Sequence, residues 1–404
     1  MNIIILDVHH PGDGRINRHM KHVLYEGHDV YHLHINRYYS SLKSGKFSHN
    51  GENGFRLNIG NFSDHIINRL FVLIILVFPI LGTLVLSNLR KLNFDDSIKT
   101  IIHIHDYELL FTGIFLRFAL YPVSALVYDR HELFEMNKKN QKLFDKIPRI
   151  FEIISLRWID GLVGVSDEHL ISLKKRFRKS IVTIVPNYPD IDNYDSKIID
   201  GKISKLEKES FSLIYFGSLD VSLDRDIYLL LEVMDSVLAD FPLSEAYIGG
   251  LTSDDELISR FSYLQKKHRG RFFYLGHIAH HDVLEYTSHA HLGFLFMKTD
   301  YWVTVSANKI YEYLRYGVIP IIRADVENQD KIVECSLLFS KNDKKEEIIS
   351  SIIGLLGDKP RLETMILKSL HTGESFSFKY IKSRYDKLYE KVGQYDEYIH
   401  KNLN

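Results

Sequence analysis

The run "NIIILDV" at residues 2–8 leads into a short glycine-bearing loop, a helical stretch stopped by Gly27, and a second apolar run at residues 30–35. Strand, loop, helix, strand is a βαβ unit. Its crossover makes the two strands parallel, and a parallel sheet has to be covered on both faces. The opening therefore commits the chain to a layered α/β fold. The same alternation continues through "TIIHIHD", "SALVYDRHE", "DGLVGVS" and "IVTIVPN", with helical patterns such as "LLFTGIFLRFAL" and "DEHLISLKKRF" between them.

A polar stretch then interrupts the cycle, and the cycle restarts at "FSLIYFGSLD". An amphipathic helix, "DIYLLLEVMDSVLADF", follows, and then the strands "SEAYIGG", "RFFYLGHI", "HLGFLFM" and "VIPIIR". With 404 residues, 45% of them hydrophobic, the chain is too long for one ordinary core. We expect a first domain at 1–190, a linker at 191–210, a second domain at 211–375, and a helix at 376–404. Open parallel sheets bind ligands outside the carboxyl ends of their strands, so chemistry is sought in the loops there.

Net charge is −1, which leaves no basic footprint for nucleic acid. The single cysteine, Cys335, excludes an internal disulfide and a cysteine-built metal site, and suits a reducing compartment. The first residues lack the pattern of a signal peptide, so a cytoplasmic location is expected. Residues 70–86, "LFVLIILVFPILGTLVL", are 17 uncharged residues flanked by Arg69 and Arg90. A spanning helix needs roughly 20 apolar residues, so a span fits poorly. A helix resting on a membrane surface and a buried core helix both remain open for the segment 66–90.

Several strand-end residues could carry chemistry. In "YFGSLDVSLDRD", Gly217 lets backbone approach a ligand, Ser218 offers a hydroxyl, and Arg225 stands near the next helix start, as a diphosphate clamp requires. In "SANKIYEYLRYG", Asn308 and Lys309 open a helix, and Glu312 follows one turn on. A lysine in a first helical turn opposes the macrodipole, and a bound anion would compensate. A carboxylate such as Glu312 can accept ribose hydroxyls. Alone, each stretch reads equally as a turn with a surface arginine or as a surface Lys–Glu pair. His131 and Glu132 close a strand, where a histidine can bond a hydroxyl or carry a proton. With 21 histidines in the chain, a structural role is as good a reading. Gly12, Asp13, Gly14 and Arg15 form the loop after the first strand, without a third glycine for a dinucleotide fingerprint. No metal-ligand spacing stands out, and neither a phosphate-binding P-loop nor a nucleophile elbow is present.

Taken in order, these blocks resemble the GT-B glycosyltransferases, and among them the family 4-like retaining enzymes of bacterial polysaccharide assembly. "GDGRINRHMKHVLYEGHDV", "IIHIHD", "YDRHELF", "VGVSDEHLISL", "VPNYP", "IYFGSLD", "YLGHI" and "NKIYEYLRYGVIPII" are similar to family blocks across nearly the full length. The resemblance implies two Rossmann-like, doubly wound parallel-sheet domains facing across a cleft, with the C-terminal helix crossing back to the first. It implies a hexosyltransferase using a nucleotide diphosphate sugar, a UDP-sugar before a GDP-sugar, with no metal and no further cofactor. The acceptor would be a saccharide or polyprenyl-linked saccharide in capsule, O-antigen or exopolysaccharide synthesis, met at the inner face of the plasma membrane by peripheral contact. By position, Glu312 holds the donor ribose, while Arg225 and Lys309 stabilise the leaving diphosphate. Gly276, His277 and Ile278 read the base, and His131 lies by the transferred sugar. Two positions depart from the family: Thr304 replaces the first acid of its E-x7-E motif, and Ser218 replaces an arginine. They keep open a non-catalytic subunit of the same fold that binds a partner transferase at the membrane. A sugar-nucleotide epimerase of this fold is a third reading.

Overall fold

The structure, a computed structural model, describes residues 1–9, 13–36, 43–48, 53–58, 79–131, 150, 152–177, 179, 181–191, 196–221, 224–298, 304–305 and 308–403, with side chains set aside at 79–80, 304–305 and 395–403. Gly12, Glu132 and residues 66–78 lie outside this set. The chain forms two compact units, Met1–Pro186 with Ile381–Asn404, and Asn187–Tyr380.

In the first unit the strands are β1 (Asn2–Asp7), β2 (Asp29–Asn36), β3 (Gly45–Phe47), β4 (Asn53–Asn58), β5 (Thr100–His105), β6 (Ser124–Arg130), β7 (Gly161–Gly164) and β8 (Val182–Ile184). Their spatial order is β3-β4-β2-β1-β5-β6-β7-β8, parallel except for the β3 edge. The chain leaves β1 in one direction through β2 and returns to its other side at β5, so the switch point lies between β1 and β5. Its helices include α1 (Gly14–Tyr25), α2 (Pro79–Lys91), α3 (Leu110–Ala119), α4 (Asp167–Lys174) and, from the chain end, the helix Ser383–Leu403. Ile3 to Leu6 of β1 have no exposed surface, as a strand covered on both faces requires.

Helix α2 takes in the second half of the apolar segment. Leu81, Val85 and Leu89 are buried on one stripe while Leu84 is 44% exposed. Its Gly82 lies so close to Phe115 of α3 that a Cβ would meet the ring at 2.3 Å. This half is therefore a core helix of the first unit, with a helical rather than an all-round apolar face. Among the described residues no helix is long and apolar enough to cross a membrane.

The second unit has β9 (Ser212–Phe216), β10 (Glu245–Gly249), β11 (Phe272–Tyr274), β12 (Leu292–Phe296), the short β13 (Thr304–Val305), β14 (Ile319–Arg323), the short β15 (Asp325–Val326) and β16 (Leu337–Phe339). Its main sheet runs β11-β10-β9-β12-β14-β16, all parallel, and its switch point lies between β9 and β12. The helices are α5 (Ser196–Leu206), α6 (Ile227–Asp240), α7 (Asp255–Lys267), α8 (His280–His289), α9 (Asn308–Arg315), α10 (Gln329–Ile332), α11 (Lys345–Gly357) and α12 (Lys359–Ser375). The Ser383–Leu403 helix of the first unit is α13.

The expected linker at 191–210 is corrected. Its middle is α5, whose Ile199, Lys202 and Leu206 are buried, and Lys202 donates to the Tyr316 carbonyl. The period was masked because a lysine occupies one of its three inward positions. The unit boundary accordingly falls at Pro186 rather than at 190. The final helix starts at Ser383, not 376, after a short turn at Phe378–Tyr380.

Candidate functional site

The loops after β9, β10 and β11 stack by backbone alone. Gly217 N–H donates to the Gly249 carbonyl (3.0 Å) and Gly250 N–H to the Gly276 carbonyl (2.7 Å). A Cβ on Gly250 would lie 2.0 Å from the Gly217 oxygen, so this packing needs glycine. At Gly217 a Cβ would lie 2.3 Å from Lys309 Nζ, and the positive φ of 157° is open to glycine. The missing side chain leaves room for the ammonium.

Lys309 enters from the first turn of α9 and rests its Nζ 4.6 Å from the Tyr215 ring centre. Burial, with Arg225 beside it, pushes its pKa down to about 8, against the pull of Glu312 and Asp224. Arg225 is held at the end of β12 by a backbone bridge with Met297, and its guanidinium donates to Asp224 Oδ2 (2.7 Å). Two cations thus crowd together at the switch point of this sheet. An anion placed between like charges held together at a cost in desolvation would be stabilised by both. Tyr215 completes the floor: its hydroxyl donates to the Ser218 carbonyl, and burial pushes its pKa up to about 12.

The first unit gathers imidazoles and carboxylates at its own switch point. Strand register sets His105 opposite Asp129, and alternation brings His103 to the same face of β5. Asp129 accepts both Nε and Nη2 of Arg15 at 2.9 and 2.8 Å. Burial would raise the Asp129 carboxyl, but Arg15 and the neighbouring His103 and His131 hold it well below the usual range. Asp106 adopts a φ of 69°, a costly backbone for a non-glycine residue. That turn aims its carboxylate at His9 Nε2 (2.9 Å) and the His131 backbone N–H (3.0 Å). Burial opposes a charge on His9, yet Asp106, with Asp13 and Asp7 behind it, pushes its pKa up to about 9. The His9 and His131 rings lie 4.6 Å apart, and their side chains are 20% and 11% exposed. Two imidazoles, that of His9 held charged by Asp106, therefore stand side by side at the surface of this unit.

The expected residues divide as follows. Gly217, Arg225 and Lys309 come together, and Gly276 joins them through the glycine ladder. Glu312 lies one turn along α9, close enough for its charge to act on Lys309. Asn308 is the exposed first residue of α9. Ser218 is exposed, and its Oγ accepts from the Asp220 N–H. His277 is exposed beside Gly276, while Ile278 packs on the cluster of Ile214 and Phe216. Thr304 lies in the two-residue strand β13. Asp13 caps α1 by accepting from the Arg15 and Ile16 N–H groups, and Gly14 opens that helix. Arg15 corrects its expected role at a phosphate loop, because it is buried and committed to Asp129 and the Val185 carbonyl.

Sequence reasoning missed Tyr215, Asp106, Asp129, His19 and Tyr389. The signals were faint but present: His103 and His105 share a strand face by alternation, and Tyr385 and Tyr389 share a helix face four residues apart.

No family model matches the chain, and no curated protein matches it in sequence. Solved structures do. A sucrose-phosphate synthase from Thermosynechococcus elongatus superposes with a TM-score of 0.71 at 16% identity, covering 97% of this chain and 98% of that one. An α,α-trehalose 6-phosphate synthase from Burkholderia multivorans gives 0.65 at 10% identity over 99% and 98%. Anabaena HepE, crystallised in complex with UDP-glucose, gives 0.62 at 12% identity over 98% and 100%. At these identities the likeness is one of fold, and it extends over both units: the chain has the double parallel-sheet α/β architecture, GT-B, of these structures.

Proposed function

We propose that this chain is a glycosyltransferase that moves a hexose from a nucleotide diphosphate sugar to a hydroxyl acceptor. The observation that carries this reading is the Lys309–Arg225 pair beside Gly217 at a switch point of the second unit's sheet. As the sugar C1–O bond breaks, negative charge grows on the diphosphate. Two preorganised cations stabilise that charge more in the transition state than in the ground state. With that charge supplied by side chains, the transfer needs no metal. Glu312 would accept the ribose hydroxyls, and the turn at Gly276, His277 and Ile278 would meet the base.

UDP is the favoured nucleotide, since HepE and an E. coli structure bound with UDP-2-fluoro glucose carry it on the same fold. In the retaining course the acceptor oxygen bonds C1 on the face the diphosphate leaves, and its proton passes to the departing phosphate oxygen. We infer a saccharide or lipid-linked saccharide acceptor in cell-surface polysaccharide synthesis, met by peripheral contact with a membrane surface. Thr304 and Ser218 narrow the contacts available to the sugar, so donor sugar choice depends on other groups.

The test is a binding and turnover screen with UDP-glucose, UDP-N-acetylglucosamine, UDP-galactose and GDP-mannose, with and without chelator. One donor should be hydrolysed slowly, unaffected by chelator, and not by Arg225→Ala or Lys309→Ala. Binding of no nucleotide by the wild type would sink the reading. Binding without turnover, with any saccharide acceptor, would favour the non-catalytic subunit.

A further inference from the structure

Five side chains of the first unit are linked end to end. His131 Nε2 meets His105 Nδ1 at 2.8 Å, and His105 Nε2 meets His19 Nδ1 at 3.2 Å. His19 Nε2 meets the Tyr389 hydroxyl at 2.5 Å, and that hydroxyl meets His103 Nδ1 at 2.8 Å. His19, His103, His105 and Tyr389 are fully buried or nearly so, and burial holds His19 and His105 well below the usual histidine range, so these rings are neutral. A neutral imidazole has one N–H and one bare nitrogen. Each link then needs one donor and one acceptor, so fixing the proton on any ring fixes it on all of them. Only two orders exist, one the reverse of the other.

Asp129 chooses between them. Three ring nitrogens face its Oδ2: His105 Nδ1 at 3.5 Å, His103 Nε2 at 3.6 Å and His131 Nε2 at 3.8 Å. These are too long for hydrogen bonds but short for charge–dipole interaction in a buried site. In one order the His103 and His131 nitrogens near the carboxylate carry N–H groups, that of His131 donating to His105, and only the His105 nitrogen is a lone pair. In the other, two lone pairs face it and one N–H. His103 Nε2 has no hydrogen-bond partner, so the carboxylate is the main influence on it. The first order is the favoured one.

We propose that Asp129, His103, Tyr389, His19 and His105 are positioning residues that fix His131 as its Nε2–H form. Its bare Nδ1 is thereby left to accept a hydrogen bond from a hydroxyl ligand. Tyr389 is the vulnerable link, because it belongs to α13, at the far end of the chain from the rings it joins. The use of Nδ1 on a sugar hydroxyl rests on the transfer reaction proposed above, whereas the proton order does not. His19, His103 and His105 are also close enough to share a cation, but the Arg15 guanidinium fixed on Asp129 opposes one.

The test is two-bond proton–nitrogen NMR of the full chain labelled with 15N-histidine, with the His131 signals assigned by their loss in His131→Gln. In the wild type, without substrate, His131 should show a bare Nδ1 and a protonated Nε2. A protonated Nδ1, or averaging between the two forms, overturns the proposal. In Tyr389→Phe the His103 contribution is cut off, leaving one N–H against one lone pair, and the single form should be lost. An unchanged His131 pattern in that variant also overturns it, and His103→Asn gives the same reading if Tyr389→Phe does not fold. One equivalent of Zn2+ should leave the His19, His103 and His105 signals in place; their joint displacement would make the cluster a metal site instead. Retained proton order with no sugar transfer would remove the proposed reaction and leave the chain of rings standing.

Discussion

Lys309 shows what burial does to a cation. Its ammonium lies against the Tyr215 ring with Arg225 nearby, and its pKa falls to about 8. On the proposed function, arrival of a diphosphate would reverse the balance, because an adjacent anion favours the charged form. Binding therefore takes up protons where the free site is partly neutral and the occupied site is charged. Nucleotide affinity should weaken as pH rises through about 8. Calorimetry at pH 8.5 in two buffers of different ionisation heat measures the uptake directly; it should be present in the wild type and absent in Lys309→Met. His291 shows burial met by full pairing instead. Its Nδ1 accepts from Ser212 N–H and its Nε2–H donates to the Lys202 carbonyl, so it stays neutral with its pKa pushed down to about 3.

Among the elements, α9 is placed by a close approach. Gly373 of α12 lies against the α9 backbone, where a Cβ would stand 2.6 Å from the Leu314 carbonyl carbon and oxygen. No side-chain rotation relieves a clash with backbone. Gly373→Ala should cost about 2 kcal/mol or more by forcing the helices apart. It should also weaken nucleotide binding, because Lys309 moves with α9. Gly354 of α11 is the control: a Cβ there meets nothing within 4 Å, so Gly354→Ala should gain about 0.5–1 kcal/mol from helix propensity alone. Denaturant titration of both variants, with nucleotide binding alongside, separates the two effects. The alternation of apolar runs announced most strands and helices. It did not announce α5, whose inward face includes a lysine, or β3 and β4, which are short and half polar.

At the scale of the whole molecule, the chain end completes the first unit. Tyr385, Leu388, Tyr389 and Val392 of α13 are buried there, and Arg384 donates to the Ile184 carbonyl. Removing residues 381–404 exposes these contacts, each worth roughly 1.5–3 kcal/mol. Calorimetry should then show the first unit melting early or not at all, with the Asn187–Tyr380 unit keeping its own transition. A single unchanged transition in the truncated protein would contradict this division. The sequence by itself determined that the chain builds parallel sheets twice over, since βαβ order and apolar strands are local properties of a stretch of residues. It also marked Gly217, Arg225, Lys309 and Glu312, because glycine at a strand end and charge at a helix start leave local signatures. Only the tertiary structure decided that Arg15 is spent on Asp129, that His9 pairs with Asp106, and that Tyr389 joins His19 to His103. Those pairs stand 114, 97 and as many as 370 positions apart in the chain, and the sheet and its covering helices alone bring them within bonding distance.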